Sequence, residues 1–290
     1  MKSILNFLIV FVLLIINGCE KNIVLPFHDY QSQLSVECIL EPKKVPVLFL
    51  GKTVSYFDTL NTSLDLFVDN ALVIISASYG RDTLQVASKF NYYRCQQEYF
   101  YQGVIPIVQG QAYHLRIEYN GNIYKADTKT NVSAVEVDSI SYIANFSDLY
   151  GEHEGVVVTF TDLKNKRNYY RYRMDRILKV SQQDISDCAT GPYAATEIGR
   201  SVYFDTSVDR AKLTMVIEPA FKHETGDTAL VYLQTLNTAS ARFFDDLDRQ
   251  KSAKINPFIE PVFITSNIPG VFGIFGACNY SKPVKFTYPE

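Results

Sequence analysis

Val108-Gln109-Gly110-Gln111-Ala112-Tyr113-His114-Leu115-Arg116-Ile117 is the stretch whose reading decides the fold class. A glycine stands three residues before a tyrosine, and that tyrosine opens a run in which apolar and polar residues alternate. Period-two alternation marks a strand with one buried face. A tyrosine in this position can return its hydroxyl to nearby backbone, the arrangement known as a tyrosine corner. Asn120-Gly121 then supplies a two-residue hairpin turn, because both turn positions require positive φ. Ile123 to Thr128 is the return strand.

Working outward, the flanking sequence is also strand-like. Leu34-Ser35-Val36-Glu37-Cys38-Ile39-Leu40 alternates with period two and is ended by Pro42 and Pro46. Val47 to Tyr56, Ala71 to Ala77 and, after the turn Tyr79-Gly80-Arg81-Asp82, Thr83 to Ala87 are further strands. About seven short strands in roughly 100 residues predict an immunoglobulin- or fibronectin-like β-sandwich, here over residues 34–133. Residues 134–290 predict a second β-rich, sandwich-like domain, with strands at Ser139–Ala144, Gly155–Phe160, Tyr169–Met174, Lys212–Ile217 and Leu230–Leu236. In Tyr169–Met174 the two arginines, Arg171 and Arg173, share one face, and Tyr170, Tyr172 and Met174 the other. Residues 181–201 read as a long loop. Thr238 to Lys251 is the one amphipathic helix, with Phe243, Phe244 and Leu247 on its apolar face and Asp245, Asp246, Asp248 and Arg249 opposite. Asn237 or Thr238 would cap it. A last pair of strands runs through Phe263 and through Val284 to Phe286. The class is therefore mainly β.

The amino terminus carries a different signal. Lys2 is followed by an apolar run from Ile4 to Ile16, broken only by Asn6, and then by Asn17-Gly18-Cys19. This is the layout of a secretory signal peptide. A cysteine at the cleavage point makes it the lipoprotein type, with residues 1–18 removed and Cys19 acylated. The apolar run is shorter than the roughly 20 residues a membrane-spanning helix needs. Several buried acyl chains anchor stably where one anchors only marginally. Residues 19–33 are a polar, proline-containing tether.

Composition narrows the function classes. The net charge of −3 comes without a basic stripe, which argues against a nucleic-acid partner. Tyrosine (20) and phenylalanine (19) are abundant and tryptophan is absent, a balance that favours strands. Beyond Cys19 stand Cys38, Cys95, Cys188 and Cys278. In an exported chain they could pair in three ways, and sequence does not choose among them. Domain membership favours Cys38 with Cys95 and Cys188 with Cys278, while Cys38 also reads as a small buried residue. No cysteine or histidine has zinc-site spacing, and no GxSxG, HExxH or phosphate loop is present, so no metal, cofactor or catalytic residue is expected. Glu152-His153-Glu154 and His223-Glu224 read as solvated loops, and His114 as a solvent-facing strand residue. Tyr92-Tyr93 and Tyr99-Phe100-Tyr101 crowd aromatics into one hairpin. They are either core or a contact surface, since aromatics are rich in both.

The carboxy-terminal stretch reads Asn256-Pro257-Phe258-Ile259-Glu260-Pro261-Val262-Phe263-Ile264-Thr265-Ser266-Asn267-Ile268-Pro269-Gly270-Val271-Phe272-Gly273-Ile274-Phe275-Gly276-Ala277. It resembles the hallmark segment of the domain of unknown function 4249 family. Val36-Glu37, Asp65 to Ala71, Asn168 to Tyr172 and the helix before the segment fall in the family's order. Val271 and Cys38 depart from it, where the family tends to have glycine. On the residues alone, Gly270, Gly273 and Gly276 permit close approach or positive φ, and Phe258, Phe272 and Phe275 read as core plugs, the alternative being a ligand-facing loop with exposed phenylalanines.

The resemblance implies an outer-membrane lipoprotein of Gram-negative bacteria, often encoded beside a TonB-dependent receptor. The expected function is that of a non-enzymatic binding or accessory component in nutrient uptake. The alternatives are a surface glycan hydrolase using loop carboxylates such as Asp148, Glu152 or Glu154, or a structural envelope lipoprotein. The implied bacteria also use an Asp-Ser/Thr-apolar pattern for O-glycosylation of exported proteins. Four triplets match it and make Thr59, Thr83, Ser139 and Thr228 candidate sites.

Overall fold

Strand follows strand for most of the chain because β-branched and aromatic residues recur at alternate positions, and the turns carry the glycines and asparagines that reversal requires. The computed structural model describes residues 30–55, 63–91, 96–148, 151–164, 166–178, 193–198, 203–204, 211–217, 223–255 and 258–289. Within them the elements are β1 (Leu34–Leu40), β2 (Val47–Lys52), the short α1 (Ser63–Leu66), β3 (Leu72–Ala77), β4 (Gly80–Asn91), β5 (Gln96–Gln102), β6 (Ala112–Tyr119) and β7 (Asn122–Lys129). They continue with β8 (Val137–Asp148), β9 (Gly151–Thr161), β10 (Tyr169–Leu178), β11 (Tyr193–Ile198), β12 (Tyr203–Phe204) and β13 (Lys212–Ile217). The last are β14 (Thr228–Leu236), α2 (Thr238–Ile255), β15 (Phe272–Tyr280) and β16 (Val284–Thr287). The fold is mainly β and sandwich-like, as the alternation predicts.

The decisive stretch folds as read. Tyr113 opens β6, and its hydroxyl accepts the Val108 N–H at 2.6 Å and meets the Tyr79 hydroxyl at 2.5 Å. Burial, then the Tyr79 hydrogen bond, push its pKa well above the usual phenol value. Asn120 (φ 49°) and Gly121 (φ 77°) make the tight turn that pairs β6 with β7.

The sheet organisation goes beyond the sequence reading. Eleven strands run in the order β11-β10-β14-β15-β1-β2-β5-β4-β3-β6-β7, with β12 added beside β10 and β16 beside β14. The first strand is parallel to β15, with Val36 opposite Gly273 and Cys38 opposite Phe275. The sheet therefore runs across the boundary expected near residue 133, and from Ser32 onward the chain forms one unit. Leu40, Leu48, Ile117 and Phe275, all fully buried, share one core. A second core lies between the three-stranded sheet β13-β9-β8 and the β10, β14 and β16 strands, centred on Val156, Val158, Met174 and Val231.

Several local expectations are corrected. Within residues 181–201, read as loop, Tyr193–Ile198 is a strand that pairs with β10. Phe263 lies outside any strand. Asp248, assigned to the polar helix face, is buried. The reason is its partner: Asp248 lies one turn after Phe244, and the Arg171 guanidinium sits 4.2 Å over the Phe244 ring and 3.9 Å from the Asp248 carboxylate. Strand β10 is thus buried on both faces around residues 170–172, because α2 covers the arginine side. Cation–ring contact and ion pairing let that charge go under. Among the described residues no helix is long and apolar enough to cross a membrane.

Candidate functional site

The hallmark segment is built on helix α2. Asn237 caps the helix, accepting the Ser240 N–H at 3.0 Å on Oδ1 while its own N–H bonds Ala277 O at 3.0 Å. Side-chain oxygens at such positions satisfy N–H groups that have no intrahelical partner. The fully buried Ser240 hydroxyl accepts the Ala277 N–H at 3.1 Å, and a Cβ on Gly276 would stand only 2.0 Å from it. Farther along the helix, Asp246 Oδ2 accepts both the Thr265 N–H (2.9 Å) and its hydroxyl (2.6 Å). Gln250, four residues on and so on the same face, accepts the Val262 N–H at 3.0 Å through Oε1. The backbone is pinned on both sides of Phe263. That side chain is 100% exposed, and Phe258 is 96% exposed.

From Ser266 the segment turns inward. Ser266 Oγ donates to Val271 O at 2.8 Å, and Ile268 is buried. Asn267 bonds the Phe275 backbone in both directions, donating to its O at 2.7 Å and accepting its N–H at 2.9 Å. Gly273 (φ +147°) passes so close to β1 that a Cβ would lie 1.8 Å from Val36 O. Phe275 is a core plug as expected, whereas Phe272 is 37% exposed and Phe258 lies outside the core.

A second polar cluster brings together two loops read as solvated. His223 Nε2 lies 2.8 Å from Glu154 Oε1, and the Tyr142 hydroxyl donates to Glu154 Oε2 at 2.5 Å. The His223 ring stacks on Tyr288 with centroids 3.6 Å apart, and the buried Arg176 guanidinium lies 5.8 Å from that Tyr288 ring. Burial raises the Glu154 pKa, but the Tyr142 and His223 hydrogen bonds and the His223 and Arg176 charges outweigh it, leaving the carboxyl below its ordinary value. The hydrogen bond to Glu154 in turn raises the Tyr142 phenol. The cluster brings a donating phenol and an imidazole onto one carboxylate. Glu152, in the same strand, accepts from Asn145 Nδ2 at 3.2 Å. Asp148 closes the β8–β9 hairpin by pairing with Gly151. Among the described residues no group of three metal-ligating side chains converges.

The remaining sequence-derived sites divide between described and undescribed residues. Cys19, Thr59, Tyr92, Tyr93, Cys95 and Cys188 lie outside the described residues. Cys38 and Cys278 are buried and free, and burial pushes the Cys278 thiol up to about 12 against the lowering effect of a Gln234 hydrogen bond. Phe100 and Tyr101 belong to the interior rather than to a contact surface. The Tyr101 hydroxyl accepts the Ala71 N–H at 3.0 Å, and Tyr99 stacks on Phe67 at 5.7 Å. Thr83 and Ser139 are exposed on strands, and Thr228 is half-buried at the start of β14. Asp82, beside Thr83, is buried and accepts the Val104 and Ile105 N–H groups at 2.8 Å. His114 faces solvent as read, paired with Asp127 at 2.5 Å.

Sequence reasoning missed the outward presentation of Phe263. The available signal was the Asp246/Gln250 pair at helical spacing, followed by a proline-bounded segment too short to pair as a strand. The family model described as Domain of unknown function (DUF4249) matches residues 20–283. No curated protein matches the chain.

Proposed function

Because this chain belongs to the domain of unknown function 4249 family, we propose that it is an outer-membrane lipoprotein. In this reading it is acylated at Cys19 and acts as a non-enzymatic binding or accessory component with a TonB-dependent receptor in nutrient uptake. The observation that carries this reading is Phe263, fully exposed on backbone that Asp246 and Gln250 hold on either side. A wet phenylalanine ring forgoes roughly 2 kcal/mol of burial. A loop pinned in advance also loses little freedom on docking, so the ring is ready to act as an interface anchor. The segment that supplies it is the family's hallmark, and its inward half is accounted for by folding. The hydrolase reading receives no comparable support, since Glu152 and Glu154 each spend an oxygen on a neighbouring side chain.

Affinity purification of the native acylated protein tests the proposal. An outer-membrane receptor should co-purify with the wild type and be lost from Phe258→Ser/Phe263→Ser protein that is otherwise folded. Recovery of no receptor by the wild type, or undiminished recovery by the double variant, defeats it. Intact mass should begin at Cys19 with diacylglyceryl and acyl groups added, and a mass retaining residues 1–18 would remove the anchor from the argument.

A further inference from the structure

Strand β6 ends in a tyrosine on each side, and the two are used differently. At its start the Tyr113 hydroxyl is spent on the Val108 backbone and on Tyr79. At its far end Tyr119, and Tyr124 on β7, make no hydrogen bond or ion pair with any described residue. Tyr124 pairs opposite Ile117, so Tyr119 and Tyr124 are diagonal neighbours on one face of the hairpin. Both are half-buried against the main core, which fixes their rings. Buried or half-buried tyrosine usually finds a partner for its hydroxyl, and here both tyrosines line an open cleft.

That cleft has a volume of about 500 Å³, inside the range of roughly 300–1,000 Å³ typical of small-molecule sites. Besides the two tyrosines it is lined by Asn120, Asn122, Gln33 and Lys52, with the hallmark turn at Gly270 on one side. Asn120 and Asn122 flank Gly121 in the positive-φ turn and both line the cleft. Three amides offer donors and acceptors together. The lining holds one cation and no carboxylate. Flat aromatic faces beside amide groups suit a molecule with an apolar C–H face and a hydroxyl-bearing edge, and a single lysine supplies too little charge to require an anionic ligand.

We infer that this cleft, at the end of the sandwich where the chain enters the body at Ser32, binds a neutral oligosaccharide. The inference goes beyond receptor docking and stands on different residues. The full chain, purified without a receptor, is titrated calorimetrically with maltohexaose, cellohexaose, xylohexaose and mannohexaose, and with hexagalacturonate as the charged control. At least one neutral sugar should bind, and Tyr119→Ala or Tyr124→Ala should weaken it about tenfold or more, equivalent to roughly 1.4 kcal/mol. Asn122→Ala and Gln33→Ala, at exposed positions that do not endanger folding, should each weaken it about threefold. Silence from all four neutral sugars overturns the inference. So does binding of hexagalacturonate alone, or sugar binding that survives both tyrosine variants and both amide variants. No receptor takes part in the titration, so a negative result leaves the docking proposal standing, and failed receptor capture leaves the cleft standing.

Discussion

The hallmark segment contains two halves of similar composition and opposite fate. Residues 258–265 hold Phe258 and Phe263 outside the body, whereas residues 266–277 bury Ile268, Ile274 and Phe275. Hydrophobicity does not separate them, because phenylalanine occurs in both. Backbone pairing does. The inner half has β1 along one edge, and before β14 takes over the other edge at Cys278, side chains stand in for a strand: Asn267 for Phe275 and Ser240 for Ala277. In the outer half, Asp246 and Gln250 on the helix accept the Thr265 and Val262 N–H groups. Where both edges are satisfied the side chains can go inward, and where the backbone is held from a helix face without a strand beside it they stand in water.

Four substitutions would break or sharpen that contrast. Gly273→Ala should have the largest effect, because the added methyl meets Val36 backbone at 1.8 Å in a positive-φ residue. A loss of about 3 kcal/mol or more is expected in the urea midpoint, or no folded protein. A near-wild-type midpoint would mean that β1 and β15 do not touch as described. Asn267→Ala leaves both Phe275 backbone groups without their partner and should cost about 2 kcal/mol by the same measurement. Asp246→Ala removes one acceptor from the outer half and should cost about 1 kcal/mol or less. Amide exchange at Thr265 should quicken while exchange at Phe275 stays slow, and equal quickening at both would merge the two halves. Phe263→Ser should change stability by no more than about 0.5 kcal/mol, yet abolish receptor capture. A large destabilisation would place Phe263 in the core after all.

What was legible in the sequence was what is local. The tyrosine corner and the Asn120-Gly121 turn depend on residues a few positions apart, and both formed as read. The alternating strands were found because one buried face imposes period two. Asp248 was misplaced because its burial depends on Arg171, in another strand. Tyr193–Ile198 was missed because only pairing with β10 makes it a strand. The approach of Glu154 to His223 joins two segments that look like solvated loops when read separately. Phe258 reads as a core plug and Phe263 as part of a strand because apolar character predicts a preference for packed structure, not whether a neighbouring backbone exists to receive the ring.

The parallel pairing of β1 with β15 also has a consequence for biogenesis. A chain emerging amino terminus first delivers Ser35 long before Phe272, its eventual neighbour. Until roughly the last tenth of the polypeptide arrives, one edge of that initial ribbon stays open to any passing strand. Folding of this chain should therefore be slow and finish only after synthesis, and chaperones that shield uncapped sheet edges should matter more to its yield than those that shield helices.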